Sequence, residues 1–335
     1  MKSVQLLIPD LFLPKDVAAE ACAGLSLLAL EKLLSRGHSV SSEPISLEAL
    51  LCDCFDVAYR GDAPIASISA SFDGLAAGCW MRADPVNLSL QRDRLLLAGV
   101  QAGIEEAAVL CASLNAHFDG QGMEFFAPHP QRWYLRLDTL PRIKTTPLSE
   151  VIGGDVRSFL PTGEDAMRWH QLFNGIQMLL HAHPLNEARE ARGELPINSL
   201  WLWGAGGQLE PLRKIYDFAG SDDVLAEMFA AAADIPFAAM PAKWNEDSVA
   251  GRQLLVWTGL RSALQQGDLS AWQSALQDFE NGYAQPLWAA LRSGKIALVQ
   301  LDIPGTQSVR SVQLRRADVW AFWRRSRRLH EYSSK

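Results

Sequence analysis

The sequence predicts an α/β protein in which a sheet covered by helices is interrupted by a smaller, inserted α+β subdomain. Three observations predict it. The chain opens as strand, loop and helix; its middle holds two strands, a helix and two further strands in close succession; and its last third alternates strand and helix patterns. The expected core comprises residues 1–70 and 195–335, and the expected insertion residues 71–194.

Residues 4–8 (Val-Gln-Leu-Leu-Ile) are a short apolar run closed by Pro9, which suits a buried strand. Val17, Ala21, Leu25, Leu28 and Leu33 then recur at near-helical spacing, so one helix is expected over 17–35, stopped at Arg36-Gly37. Asp73-Gly74 between two apolar stretches predicts a hairpin over 64–83. A strand is expected at 92–97, an amphipathic helix from Glu105 to Asn115, and strands at Glu124–Phe126 and Trp133–Leu137.

Residues 145–163, with three glycines and two prolines, read as a long irregular connection. The helix expected over 164–183 buries Trp169, Leu172, Phe173, Ile176 and Leu180. Ile197–Trp203 is a strand candidate running into a Gly204-Ala205-Gly206-Gly207 loop. Helices at 222–233 and 270–291, strands at 253–258 and 295–302, and a terminal helix at 317–328 complete the expectation.

Composition narrows the function classes. A hydrophobic share of 48% against 21% charged residues is that of a folded globular chain. Five cysteines, an odd number with no CxxC pair, point to buried thiols in a reducing compartment. The apolar run at the start is broken by Pro9 and Asp10, too early for a signal segment, and no later run is long enough to span a bilayer. A cytoplasmic protein with no membrane association is expected. The net charge of −7 hides an asymmetry: residues 310–335 carry seven arginines and Lys335 against Asp318 and Glu331, leaving the tail near +6 and the rest near −13. An acidic body argues against nucleic acid as a partner, while the tail suits an acidic protein partner. There Trp320 and Trp323 would share a helix face, with Arg324 and Arg325 in the following turn.

Several segments carry a resemblance. Arg82-Ala83-Asp84, Trp133-Tyr134-Leu135-Arg136-Leu137, His183-Pro184-Leu185-Asn186 with Arg189, and Ile197–Gly204 occur in the order found in archaeal-type cofactor-independent phosphoglycerate mutases of the alkaline phosphatase superfamily. Trp80-Met81-Arg82-Ala83-Asp84-Pro85-Val86 and the closing Trp320-Ala321-Phe322-Trp323-Arg324-Arg325 are similar to the RpfE-type regulatory proteins of proteobacteria.

The resemblance implies an alkaline-phosphatase-like sheet, and a chemistry resting on two divalent metals and a hydroxyl nucleophile. Position by position, that chemistry is missing. Asp10 matches the aspartate ending the first strand, but Leu11 replaces the glycine after it. The nucleophile stretch corresponds to Leu27–Glu31, with Ser26 the only nearby hydroxyl. The histidine-bearing strand and the segment after it correspond to Leu254–Thr258 and Gln265–Asp268, which hold no histidine, and the last metal pair to Asp302-Ile303. We therefore expect a catalytically inactive protein without metal or other cofactor, acting by binding. The resemblance implies that Arg82, Arg136 and Arg189 face a phosphorylated or carboxylated small molecule. If activity survives, Asp10, Asp56, Asp302 and Ser26 would carry it with Mn²⁺ or Mg²⁺.

Overall fold

The computed structural model describes residues 2–59, 61–248 and 251–333. Lys335, counted in the tail charge above, lies outside the described residues. The chain forms two compact units, Met1–Asp56 with Leu212–Lys335, and Val57–Pro211.

The first unit begins with β1 (Ser3–Leu7), α1 (Lys15–Ala21), α2 (Leu28–Arg36), β2 (His38–Ser42) and α3 (Leu47–Cys54). Two helices replace the single one expected over 17–35. Gly24 at φ +81 turns the chain between them, a conformation open to glycine at no steric cost.

The second unit begins with α4 (Ile65–Phe72), where a hairpin was expected. Asp73-Gly74 acts as a helix stop, with Gly74 at φ +79 and Leu75 N–H donating to Ala70 O at 2.8 Å. Next come β3 (Cys79–Gln91), β4 (Arg94–Gly99), α5 (Ile104–His117), β5 (Met123–His129), β6 (Arg132–Leu137), β7 (Ile143–Lys144), α6 (Leu148–Val151), β8 (Thr162–Gly163), α7 (Ala166–His181), α8 (Pro184–Ala191) and β9 (Ser199–Gly206). The sheet runs β4-β3-β6-β5, with β9 on β3, and every pairing is antiparallel.

One face packs Met81, Trp133, Leu135 and Leu200 against α5 and α7; the other sets Trp80 and Tyr134 against Ala66 and Ala70 of α4. Because α4 and β9 both pack on β3, the unit runs wider at both ends than 71–194. The expected glycine loop is instead the end of β9, with Gly206 opposite Trp80.

The first unit resumes with β10 (Phe218–Ser221), α9 (Val224–Ala232), β11 (Phe237–Ala239), β12 (Arg252–Val256), α10 (Arg261–Gln265) and α11 (Leu269–Phe279). A π-helical turn, Glu280–Ala284, joins α11 to α12 (Gln285–Ser293), followed by β13 (Leu298–Pro304) and β14 (Val309–Arg315). Seven strands run β11-β10-β12-β1-β13-β14-β2. The first five are parallel and β14 is antiparallel to both neighbours. Leu6, Val299 and Leu301 pack against Leu30, Leu33, Leu276 and Leu287 on one face; on the other, Phe55 meets Tyr216 and Phe229.

The terminal helix expected over 317–328 does not form. A 3₁₀ turn at Arg316–Trp320 gives way to irregular chain and a second 3₁₀ turn at Leu329–Tyr332. Tertiary bonds from α2 override the local pattern: the Arg36 guanidinium donates to Val319 O, and Arg324 donates back to Arg36 O at 2.6 Å.

The packing of β9 makes a local prediction. A Cβ on Gly206 would stand 2.5 Å from Ser67 Oγ and 2.7 Å from Pro64 Cβ, whereas one on Gly207 would meet only Leu140 Cδ1 at 3.5 Å. Gly206→Ala should lower the unfolding free energy by about 1–3 kcal/mol, and Gly207→Ala by less than about 0.5 kcal/mol, measured by urea denaturation.

Candidate functional site

The parallel pairing of β1 with β13 places Leu7 opposite Asp302. Asp10 follows three residues beyond Leu7, at φ 64, so the two carboxylates implied by the resemblance stand at neighbouring strands. Their surroundings differ. Asp302 is buried and accepts from Gln5 Nε2 at 2.7 Å, Gln300 Nε2 at 2.9 Å and Ser311 Oγ at 2.6 Å. Gln5 in turn accepts from the Tyr216 hydroxyl at 2.8 Å. Asp10 is part-exposed and pairs with Arg261 at 3.3 Å; Asp56 is exposed and pairs with Arg213 at 2.5 Å.

This donor set does not fit a two-metal centre. The neighbours of Asp302 are neutral amide and hydroxyl donors, and Asp10 already faces a cation. Among the described residues no group of three or more His, Cys, Asp or Glu is placed to hold a metal ion. Burial pushes the Cys52, Cys54 and Cys111 thiols up to about 12 and keeps them protonated, so these three are no substitute nucleophiles.

The start of α2 is the place to which the resemblance assigns the nucleophile. Ser26 is exposed there, and its backbone N–H and C=O are taken by the Gln277 side chain at 3.2 and 3.3 Å. Leu27, at the N-cap, offers no side-chain cap to the helix. The orphan amides are met from elsewhere. Glu280, fully buried in the π-helical turn, accepts from Ala29 N–H at 2.8 Å with one oxygen and from Leu30 N–H at 2.9 Å with the other. A helix N-terminus is a ready anion seat through its free N–H groups and dipole. Here a resident carboxylate fills it.

Sequence reasoning missed Glu280. The signal was present: Leu276, Glu280, Tyr283 and Leu287 share one helical face, so a carboxylate interrupts an apolar stripe.

The three arginines do not converge. Arg82 is buried, with Nε 3.2 Å from Asp84 Oδ1, a second bond to the same oxygen, and NH1 3.4 Å from Ser69 Oγ. Trp203 Nε1 donates to the other oxygen of Asp84 at 2.7 Å, and Tyr134 and Trp203 flank the guanidinium. Arg189 is also buried; it bonds Glu106, Leu195 O at 2.9 Å and Gln101 O at 2.9 Å, tying α8 to the start of α5. Arg136 is exposed and lines an open cleft of about 710 Å³ together with Asp119, Glu124 and Asp138. Trp320 and Trp323 are 64% and 71% exposed, so neither docks on the core; Arg325 is exposed, and Arg324 is tied to the end of α2.

The Arg82 cluster continues to Asp73, which accepts from Tyr134 OH and from Arg132 at 2.8 and 2.6 Å. Burial alone would raise the Asp73 carboxyl, but the bonds from Arg132 and Tyr134 outweigh it and hold the group below its usual value. A depressed folded-state value stabilises the fold above the usual carboxylate range, and that contribution is lost as pH falls through the folded value. Asp73→Ala should therefore cost about 3 kcal/mol at neutral pH and show a smaller loss of melting temperature on acidification than the parent.

The chain is 26% identical over 208 residues to the 2,3-bisphosphoglycerate-independent phosphoglycerate mutase of Methanosarcina barkeri, covering 61% of this chain and 52% of that protein. It is 27% identical over 191 residues to a probable enzyme of the same description from Geobacter sulfurreducens, covering 56% and 48%. The matches thus span about half the length of these curated relatives. No protein-family model matches. Among solved structures, the cofactor-independent phosphoglycerate mutase from Thermoplasma acidophilum superposes with a TM-score of 0.50 at 14% identity, over 100% of this chain and 96% of that one. The PH0037 protein from Pyrococcus horikoshii superposes with a TM-score of 0.54 at 13% identity, over 94% and 87%. The fold is that of the cofactor-independent phosphoglycerate mutases.

Proposed function

We propose, for a chain with the fold of the cofactor-independent phosphoglycerate mutases, that it does not transfer phosphoryl groups and works by binding, in the manner of the RpfE-type regulatory proteins it resembles. The observation that carries this reading is Glu280. Its carboxylate takes the Ala29 and Leu30 amides at the start of α2, where an incoming phosphate would otherwise find donors. A phosphate placed there would have to displace a buried anion already held by the Ala29 and Leu30 amides and, at 3.5 Å, by Gln285 Nε2. Ser26 meets the Gln277 side chain, which is no base, and Asp10 and Asp302 are each engaged by other groups.

The ligand of this reading is a small carboxylated molecule in the Arg136 cleft. Arg136 supplies a guanidinium that no carboxylate pairs among the described residues, and it suits a carboxylate. Asp119, Glu124 and Asp138 around it would repel a phosphate dianion and favour a ligand that also carries an ammonium group.

Purified protein supplied with Mn²⁺ or Mg²⁺ and 3-phosphoglycerate should show no 2-phosphoglycerate above a heat-killed control. Conversion above that control, abolished by Asp10→Asn, would contradict the proposal and restore the metal-dependent alternative.

A further inference from the structure

The tail carries its large aromatic side chains outward. Trp320, Phe322 and Trp323 are 64%, 80% and 71% exposed, three large aromatic side chains within four residues. Phe322 and Trp323 meet edge to face at 5.3 Å, so they form one apolar projection.

This exposure does not come from a loose chain end. The segment is fastened to α2 on both sides of the aromatics. Before them, Val319 is buried and its carbonyl accepts from Arg36. After them, Arg324 donates to Arg36 O at 2.6 Å, Arg327 N–H to Ser35 Oγ at 3.0 Å, and Leu329 N–H to Glu31 Oε1 at 3.2 Å. Tyr332 OH lies 2.8 Å from the same Ser35 hydroxyl. A fixed backbone therefore holds the aromatic side chains outward.

The charge around them is predominantly positive, the flanking Asp318 and Glu331 each accepting from a backbone N–H of the same segment. Arg325 and Arg327 are exposed, and among the described residues neither pairs with a carboxylate. Arg328, also exposed, reaches Glu31 only at 3.7 Å.

We propose that residues 320–328 dock the protein onto an anionic lipid surface, the aromatics lying at the boundary of headgroups and acyl chains and the arginines on headgroup phosphates. Tryptophan and phenylalanine favour that boundary, and adjacent cations add attraction to anionic lipid. Side chains this exposed, on an irregular segment, match a fluid surface that adapts to their shape, whereas a protein partner must supply a complementary pocket for each anchor. The surface lies on the membrane and does not cross it, in keeping with the absence among the described residues of any helix long and apolar enough to span a bilayer. This inference departs from the expectation of no membrane association, and it does not rest on the loss of catalysis.

The test is co-sedimentation of the full chain with vesicles of equimolar phosphatidylglycerol and phosphatidylcholine, against vesicles of phosphatidylcholine alone. Pelleting is expected with the anionic vesicles and should weaken as salt is raised. Trp320→Ser combined with Trp323→Ser should weaken vesicle affinity by about tenfold or more, and Arg325→Glu with Arg327→Glu should abolish the preference for anionic lipid. These side chains are exposed, so the variants should keep the parent's melting temperature. No pelleting with anionic vesicles, or pelleting unchanged by the aromatic substitutions, would overturn the proposal. So would self-association in sedimentation velocity without lipid that the same substitutions abolish, which would assign the surface to a second copy of this chain.

Discussion

A buried carboxylate that no cation pairs among the described residues must be met by hydrogen-bond donors, and Glu280 meets that constraint with the Ala29 and Leu30 amides. Much of the first unit follows from this contact. The π-helical turn between α11 and α12 carries Glu280, and the contact completes the otherwise uncapped start of α2. Helix α2 then holds the tail through Glu31, Ser35 and Arg36, and the tail displays Trp320, Phe322 and Trp323. One buried anion thus links the start of α2 to the surface segment that displays the aromatic side chains.

The second unit instead pairs its buried charges with one another. Arg82 with Asp84, Arg132 with Asp73 and Arg189 with Glu106 are pairs in which both side chains are largely removed from water, with further bonds from Trp203, Tyr134 and backbone carbonyls. Such pairs organise packing, since removing one partner strands the other. Two arginines that resemble substrate-facing residues are therefore engaged in holding strands and helices together. Arg136, near the end of β6 and opposite Trp80 of β3 and Glu124 of β5, is the one of the three that faces solvent.

Much of the architecture was legible because it rests on hydrophobic period. The α7 stripe of Trp169, Leu172, Phe173, Ile176 and Leu180 is buried as its spacing predicts, and β1, β6 and β12 lie where apolar runs marked them. What escaped the sequence depends on partners far along the chain. Strand β2, His-Ser-Val-Ser-Ser, is exposed throughout and exists because it pairs with β14. Asp73-Gly74 fits a hairpin turn or a helix stop equally well, and the burial of Ile65, Ala66, Ile68 and Ala70 decides for the helix. The tail has a helical pattern, but side chains of α2 claim its backbone groups. At the candidate site, Asp10, Ser26 and Asp302 could be compared with the resemblance position by position, whereas the Glu280 seat joins residues 250 apart.

The central claim is that Glu280 occupies the anion seat of α2, and residue-resolved hydrogen exchange at Ala29 and Leu30 tests it most directly. Both amides should exchange slowly in the parent protein, and Glu280→Ala should accelerate them selectively by about tenfold or more, leaving the amides in the middle of α2 protected. Fast exchange at both in the parent, or rates unchanged by the substitution, would contradict the account.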